Sequence, residues 1–232
     1  MINTPKYELA KYLDNLIKPY IPGKHTFNST EDFLQKLKAT KINNNQFMVS
    51  FDAVSLFTNV PLSDTINVIA NQLYDSNKFG DIFLVEKQKF KKLMFLATQS
   101  LFMHKDRLFK QIDGVSMGCP LGPTLANYFL GSIEEKIFKD IKNSHPVFYG
   151  RYVDDVFAVF NDKESCTSFL QVLNSQQKNL KFTLEKATDS LNFLDTKIKL
   201  TDTGFESNVY RKSTHTGLFL KFSCYLSSSL EI

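Results

Sequence analysis

Two adjacent aspartates lie inside an apolar stretch of this chain, and this arrangement constrains the fold most strongly. The tetrad Tyr152-Val153-Asp154-Asp155 stands between residues 147–149 and 156–160, which are mostly β-branched or aromatic and typical of buried strands. The pattern predicts a β-hairpin with both carboxylates at its turn. Adjacent carboxylates repel each other, and a divalent metal ion bound by their hard oxygen atoms removes that repulsion. From this segment alone, the alternative is an ordinary polar hairpin turn.

A third carboxylate follows an earlier strand pattern. Residues 47–51 predict a short buried strand that stops at Asp52, and residues 61–74 then have helical spacing. Asp52 precedes Asp154 by 154 − 52 = 102 residues, and sheet pairing could bring the two together. Three carboxylates would suit two-metal phosphoryl transfer, in which an attacking hydroxyl group is activated and the in-line transition state is stabilised. The alternative for Asp52 alone is a turn or helix-capping residue.

The remaining patterns supply both helices and strands. We predict helices near residues 7–17, after the Ser29-Thr30-Glu31-Asp32 start, and near 85–101, 125–141 and 164–177. Strands are predicted near residues 108–112, 180–184, 192–200 and 205–210. The expected fold is therefore α+β, with a small, mostly antiparallel sheet backed by helices on one face.

Composition narrows the class of protein without selecting a function. With 232 residues, 43% of them hydrophobic, the chain can bury the core of one domain. A net charge of +4 is compatible with a polyanionic partner but does not require one. Three widely separated cysteines, Cys119, Cys166 and Cys224, argue against a disulfide framework and a zinc site. Because no apolar run could span a bilayer and no signal peptide is evident, we expect a soluble, intracellular protein with no membrane partner.

Three motifs, taken in order, resemble the conserved palm motifs of reverse transcriptases. They are Phe51–Pro61, Gln111–Pro123 and Arg151–Asp155. In detail, the sequence is similar to that of the Penelope-like branch of retroelements. The similar segments are Ser55–Pro61, Met117–Pro123, Asn192–Asp195 and Val209–Thr216. The resemblance covers the chain from about Ser29 to Ser223 and implies a polymerase palm.

The resemblance implies an RNA-directed DNA polymerase of a retrotransposon. Such an enzyme adds deoxynucleotides from deoxynucleoside triphosphates to the 3′-hydroxyl group of a DNA primer on an RNA template, with pyrophosphate as the leaving group. The resemblance assigns two Mg²⁺ ions, for which Mn²⁺ can substitute, to Asp52 and Asp154. The carbonyl group of Ala53 would assist, and Asp155 would be a weaker or more distant ligand.

Nucleotide-binding residues are also implied by the resemblance. Phe57 stands where the family has a bulky gate that rejects a ribose 2′-hydroxyl group by steric overlap. Gly118 stands where the backbone approaches the template base or the incoming nucleotide, and Met117 replaces a glutamine that many relatives have. The alternatives are a core phenylalanine for Phe57 and simple turn chemistry for the glycines.

Three basic residues complete the candidate site. Lys186 falls near a lysine that in related polymerases is proposed to protonate the pyrophosphate leaving group, so it is a candidate general acid. Arg211 and Lys212 begin a segment of mixed aromatic and basic residues typical of nucleic-acid binding. The alternatives are a solvated surface lysine and an ordinary strand with aromatic core residues.

The chain departs from complete reverse transcriptases at both ends. About fifty residues precede Asp52 and none is arginine, so the fingers are expected to be truncated. We expect a single palm domain over residues 1–232, with a helical segment at 1–45. A basic and aromatic segment at 201–232 would lead toward a missing thumb and a GIY-YIG endonuclease.

A second hypothesis is a catalytically silent relic that acts as a nucleic-acid-binding or interaction module. RNA-templated RNA synthesis is disfavoured, because Phe57 would exclude ribonucleotides and because the motif sequences resemble those of reverse transcriptases.

Overall fold

A four-stranded antiparallel sheet lies at the centre of the computed structural model, which describes residues 4–75, 85–141, 144–187, 189–212 and 214. Its strand order is β4-β5-β1-β6. A three-stranded antiparallel sheet, β7-β8-β9, and a separate β2-β3 hairpin accompany it. The strands are β1 Phe47–Ala53, β2 Leu101–His104, β3 Arg107–Lys110, β4 Phe148–Tyr152, β5 Asp155–Phe160, β6 Phe182–Lys186, β7 Leu191–Phe193, β8 Thr196–Thr201 and β9 Gly204–Val209.

Seven α-helices occur within the described ranges. They are α1 Pro5–Ile17, α2 Thr30–Lys38, α3 Leu56–Asn59, α4 Leu62–Tyr74, α5 Lys87–Thr98, α6 Gly122–Asp140 and α7 Lys163–Ser175. Their starts follow ordinary capping chemistry, since the Ser29 hydroxyl accepts the backbone N–H of Asp32 and Asp162 accepts that of Ser165. None of the helices in the described part of the chain is long and apolar enough to cross a membrane.

The two faces of the central sheet are covered differently. Alternate residues of β1, including Val49, Phe51 and Ala53, pack against the long helices in the larger core cluster. Met48 lies on the opposite face, in a second cluster with α2 and the three-stranded sheet β7-β8-β9, called the small sheet below. Because this second hydrophobic cluster does not extend to the end of β1, Asp52 remains exposed there. The α+β prediction of a mostly antiparallel sheet backed by helices is confirmed, and α2 in addition packs on the second face of that sheet.

Some predicted boundaries were wrong. β1 does not stop at Asp52 but continues through Ala53, because β6 pairs with it to that residue. Residues 192–200 form two strands rather than one, joined by a tight turn in which Leu194 has a φ of 52°. Strand β2 was missed because the helical pattern was extended to residue 101, whereas α5 ends at Thr98. The proposed segment divisions at residues 45 and 201 stay predictions, and residues 215–232 lie outside the described residues.

Candidate active site

Strand register brings the predicted aspartates to one end of the central sheet. β1 and β5 pair antiparallel, with Asp52 directly opposite Asp155. Directly opposed side chains point to the same face, with Cβ atoms about 4.5–5.5 Å apart. Asp154 lies in the two-residue turn between β4 and β5, next to Asp155. The adjacent carboxylates of Asp154 and Asp155 therefore lie near that of Asp52, which is distant in sequence.

The turn that carries Asp154 has an unusual backbone. Val153 is its first central residue and has a φ of 55°. A positive φ at that position alone is the arrangement of a type II′ turn, which normally has glycine there. A β-branched residue in the left-handed region is strained and persists where its surroundings fix it.

The carboxyl group of Asp155 is perturbed by burial and by its charged neighbours. Desolvation raises the pKa of this carboxyl group, the charges of Asp154 and Asp52 raise it further, and Lys212 lowers it. Desolvation and like-charge repulsion are both relieved when a cation binds. As the side chains stand, no group of three or more His, Cys, Asp or Glu residues in the described ranges is arranged to hold a metal ion. The carboxylate oxygens nevertheless have the hard donor chemistry that Mg²⁺ or Mn²⁺ prefers.

Two cavities adjoin the aspartates. One, of about 360 Å³, lies between the central and small sheets and is lined by Asp52, Asp155 and Lys212, among others. The other, of about 580 Å³, is lined by Asp154, Asp155, Lys212 and the start of α2. The backbone N–H of Tyr210 donates to the carbonyl of Asp195 at 2.8 Å, which ties the chain leading to Lys212 to the turn of the small sheet. Lys212 is thus the predicted basic residue that lines both cavities.

Arg211 lies on a different side of this segment. It lines a neighbouring cavity of about 520 Å³ together with Lys212, Tyr210 and Thr214. Neither Asp52 nor Asp154 lines that cavity among the residues the structure describes. Of the predicted basic pair, Lys212 therefore lines the cavities beside the aspartates as well as the neighbouring one, whereas Arg211 lines only the neighbouring one among these three cavities.

The glycine-rich loop packs on the short helix that follows Asp52. The backbone N–H of Val115 donates to the carbonyl of Phe57 at 2.7 Å. Gly114 has a φ of +73°, and a Cβ there would lie 2.5 Å from the carbonyl oxygen of Thr58, so glycine is required. Phe57 is half-buried, and its ring lies 3.5 Å from where a Cβ on Gly122 would be. Phe57 thus combines core packing with a location five residues after Asp52.

Met117 and Gly118 form the exposed tip of the same loop. Met117 is 85% exposed, and Gly118 has a φ of +85° with nothing within 4 Å of an added Cβ. Space beside this backbone is open, as an approaching ligand would need. Neither residue lines the two cavities that adjoin the aspartates in the described structure.

The register does not bring Lys186 to the aspartates. Lys186 pairs with Val49, three residues before Asp52 along β1, so it lies about 10 Å from the level of that carboxylate. Because side chains alternate, it also projects from the opposite face of the sheet. Burial raises the pKa of the Cys166 thiol on α7, and the charge of Lys186 partly offsets that increase, which places Lys186 on the helical side. We therefore do not assign Lys186 as a general acid.

Sequence reasoning missed a buried polar network behind the turn. Arg151 is fully buried, and its Nε and Nη2 donate to the two carboxylate oxygens of Glu134 at 2.6 and 3.1 Å. Its Nη1 donates to Asn127 Oδ1 at 2.6 Å and to the carbonyl of Val153 at 2.8 Å. Burial and the charge of Glu134 raise the pKa of Tyr149, so its hydroxyl group stays protonated and donates to Glu134 at 2.8 Å.

Two comparisons with solved structures support the same fold. The apo telomerase of Candida tropicalis truncated from its C-terminal domain superposes with a TM-score of 0.61 at 14% identity, covering 88% of this chain and 45% of that one. The telomerase of Candida albicans in complex with a fragment of telomeric RNA gives a TM-score of 0.60 at 12% identity, covering 90% and 39%. The chain thus spans less than half the length of these telomerases.

A more distant likeness is to an RNA polymerase inside a double-stranded RNA virus. Its TM-score is 0.52 at 15% identity, covering 86% of this chain and 20% of that one. At such identities, these likenesses describe the fold, a polymerase palm, rather than a shared substrate. No sequence among curated proteins matches the chain significantly.

A family model provides the assignment. The model described as reverse transcriptase (RNA-dependent DNA polymerase) matches residues 5–194, which is most of the chain and includes the turn, the glycine-rich loop and Asp52. The chain belongs to the reverse transcriptase family.

Proposed function

We propose that this chain is the palm-centred part of an RNA-directed DNA polymerase from a Penelope-like retroelement. It would extend a DNA primer with deoxynucleotides on an RNA template. The observation that carries the proposal is the β1–β5 register, which sets Asp52 opposite Asp155, the residue that follows Asp154 in the turn. A fold alone would not support a reaction, but three carboxylates at one sheet end match what phosphoryl transfer needs.

Asp52 and Asp154 are the proposed principal ligands of two Mg²⁺ or Mn²⁺ ions, with the carbonyl group of Ala53 and the side chain of Asp155 assisting. When bound, such ions lower the pKa of the primer hydroxyl group and neutralise charge on the triphosphate. The raised pKa of Asp155 fits this assignment, because a site built to receive cations holds repelling carboxylates in their absence.

The remaining residues would bind and orient the nucleic acid. Lys212, beside both carboxylate cavities, is placed to attract a phosphate group, while Arg211 would contact the backbone farther away. Phe57 would exclude a ribose 2′-hydroxyl group, and the open backbone at Gly118, next to the exposed Met117, would allow close approach of a base or nucleotide. Positioning of this kind accounts for much of the acceleration in phosphoryl transfer.

Extension of a DNA primer annealed to an RNA template tests the proposal. With deoxynucleotides and Mg²⁺ or Mn²⁺, we expect incorporation that Asp154→Asn and Asp52→Asn reduce at least 100-fold. Asp64→Asn, the same charge change on an exposed position of α4, should leave incorporation unchanged. Phe57→Ala should admit ribonucleotides. Absence of incorporation by the unaltered chain, or incorporation that survives Asp154→Asn, would contradict a catalytic function.

One observation favours the alternative of a catalytically silent relic that binds nucleic acid. The carboxylates are near one another, but no three of the described metal-binding side chains are arranged around a common point. A relic would retain binding of a primer-template duplex through Arg211 and Lys212 without extending it. Duplex binding that is weakened by Lys212→Gln, in a chain that incorporates no nucleotide, would support this alternative.

A further inference from the structure

We propose that Arg151 is a positioning residue that fixes the catalytic turn from behind the sheet, through Glu134 and Asn127 on α6. The inference rests on the proposed function, because it concerns how the aspartates of that site are held. Arg151 does not reach toward the exposed carboxylate cluster. It acts through the backbone of the turn, by the hydrogen bond from Nη1 to the Val153 carbonyl.

Arginine is the side chain that this location requires. The guanidinium group is planar and presents five N–H donors in a fixed fork. Two of its nitrogens bond the Glu134 carboxylate, and the third bonds both Asn127 and Val153. The ion pair with Glu134 therefore sets the orientation of the fork, and that orientation decides where Nη1 points. A lysine ammonium group carries the same charge but cannot hold these directions at once.

The turn needs an external restraint because its own sequence opposes its conformation. Val153 has a φ of 55°, which a β-branched residue rarely adopts. Such a conformation persists only where the surrounding structure fixes it. The carbonyl of Val153 directly precedes Asp154, so a bond to that carbonyl sets the plane of the peptide leading to the proposed metal ligand.

The backbone of Arg151 is fixed as well as its side chain. Its N–H donates to the carbonyl of His25, and its carbonyl accepts the N–H of Phe27, both at 2.7 Å. Arg151 is fully buried, and hydrogen bonds hold both its backbone and its side chain in place. Asn127 and Glu134 lie on α6, which begins at the end of the glycine-rich loop. The same helix therefore follows that loop and holds Arg151, which bonds the turn that carries Asp154.

Replacing the network with apolar side chains separates positioning from folding. In the triple variant Arg151→Met/Glu134→Leu/Tyr149→Phe, no member of the buried ion pair is left unpaired, and such replacements usually preserve stability. Thr98→Val is the matched control, because it alters another buried polar side chain that bonds only within its own helix. Thermal unfolding should report both variants as folded.

Hydrogen exchange at residues 152–155 is the first readout and needs neither metal nor substrate. We expect at least tenfold faster exchange of the turn in the triple variant, with β1 and α7 unchanged, and no change in Thr98→Val. If the triple variant does not fold, Arg151→Lys keeps the charge pair with Glu134 and should still show the faster turn exchange. Unchanged exchange of the turn in the folded variant would overturn the proposal.

Steady-state primer extension is the second readout. Displacement of catalytic groups by about 1 Å can cost 100-fold in rate, so we expect kcat to fall roughly 30- to 100-fold. KM for deoxynucleotide and primer-template should stay within threefold, which a general loss of structure would not produce. Unaltered kcat in the triple variant would refute positioning. If the unaltered chain extends no primer, the proposed function fails, and hydrogen exchange alone decides the assignment of Arg151.

Discussion

Substituting asparagine for Asp52 should stabilise the folded chain in the absence of divalent ions. Asp52 faces Asp155 directly across the β1–β5 pair, and Asp154 adds a third negative charge. Removing one charge relieves repulsion without changing the size of the side chain. Stabilisation by loss of a catalytic group is expected where a site holds like charges together for function.

The size of the gain follows from the register. Like charges directly opposed in an antiparallel pair destabilise it by roughly 0.2–1 kcal/mol. Both side chains are exposed, so solvent screening keeps the effect within that range rather than at buried-pair values. For a chain of 150–250 residues, 1 kcal/mol shifts Tm by about 2–4 °C, so we expect Tm to rise by about 1–3 °C.

Differential scanning calorimetry at pH 7.5 in low salt with a chelator would measure this gain. In 1 M NaCl the gain should vanish, because the Debye length is then only about 3 Å. The pH dependence has a defined sign. Since the folded-state pKa of Asp155 is raised, folding favours its protonated form, and the stability from this group is lost as pH rises through the raised pKa. The advantage of Asp52→Asn should therefore be absent well below pH 4 and grow above it.

A matched control identifies the source of the gain. Asp64→Asn removes the same charge from an exposed position in the first turn of α4, where a negative charge favours the helix N-terminus, so its Tm should not rise. Equal gains in the two variants would show a general net-charge effect instead. A decrease in Tm for Asp52→Asn that persists in 1 M NaCl would refute the argument that the carboxylates repel one another across the register.

Three further perturbations test other parts of the structure. Gly150→Ala should cost about 1–3 kcal/mol in urea unfolding, because the added Cβ would overlap the Phe27 ring, and Phe27→Leu should recover part of that loss. Gly114→Ala should cost about 2–4 kcal/mol, since it combines a positive φ with a backbone clash; a loss under 0.5 kcal/mol would contradict the packing of the loop. Lys212→Gln should raise the pKa of Asp155 further, as measured by carboxyl NMR titration, because a favourable positive charge is removed.

Much of the sheet was predictable because strand and turn signals are local. The apolar runs around Asp154 predicted the hairpin, and the apolar run at residues 47–51 predicted the buried strand β1. Pairing between β1 and β5 could be expected only as a possibility, because residues about 100 apart carry no local signal of their partner. The family resemblance implied that Asp52 and Asp154 share a metal site, and the structure supplied the pairing and its register.

Side-chain direction and buried networks were the parts that sequence reasoning could not supply. Lys186 was placed near the site by sequence position, but strand alternation turns it to the helical face. The Arg151–Glu134 pair had one usable signal: Glu134 interrupts the buried face of α6, and arginine occurs at only three positions, Arg107, Arg151 and Arg211. A buried acid requires a cationic or hydrogen-bonding partner. Which arginine it pairs with depended on the fold.

A crystal structure of the chain soaked with Mn²⁺, measured at an anomalous-scattering wavelength, tests the central claim most directly. We predict one or two anomalous peaks within about 2.5 Å of carboxylate oxygens of both Asp52 and Asp154, and none at this position in Asp154→Asn. An empty sheet end at millimolar Mn²⁺, or a peak held by carboxylates elsewhere on the chain, would contradict the claim that these aspartates form a metal centre.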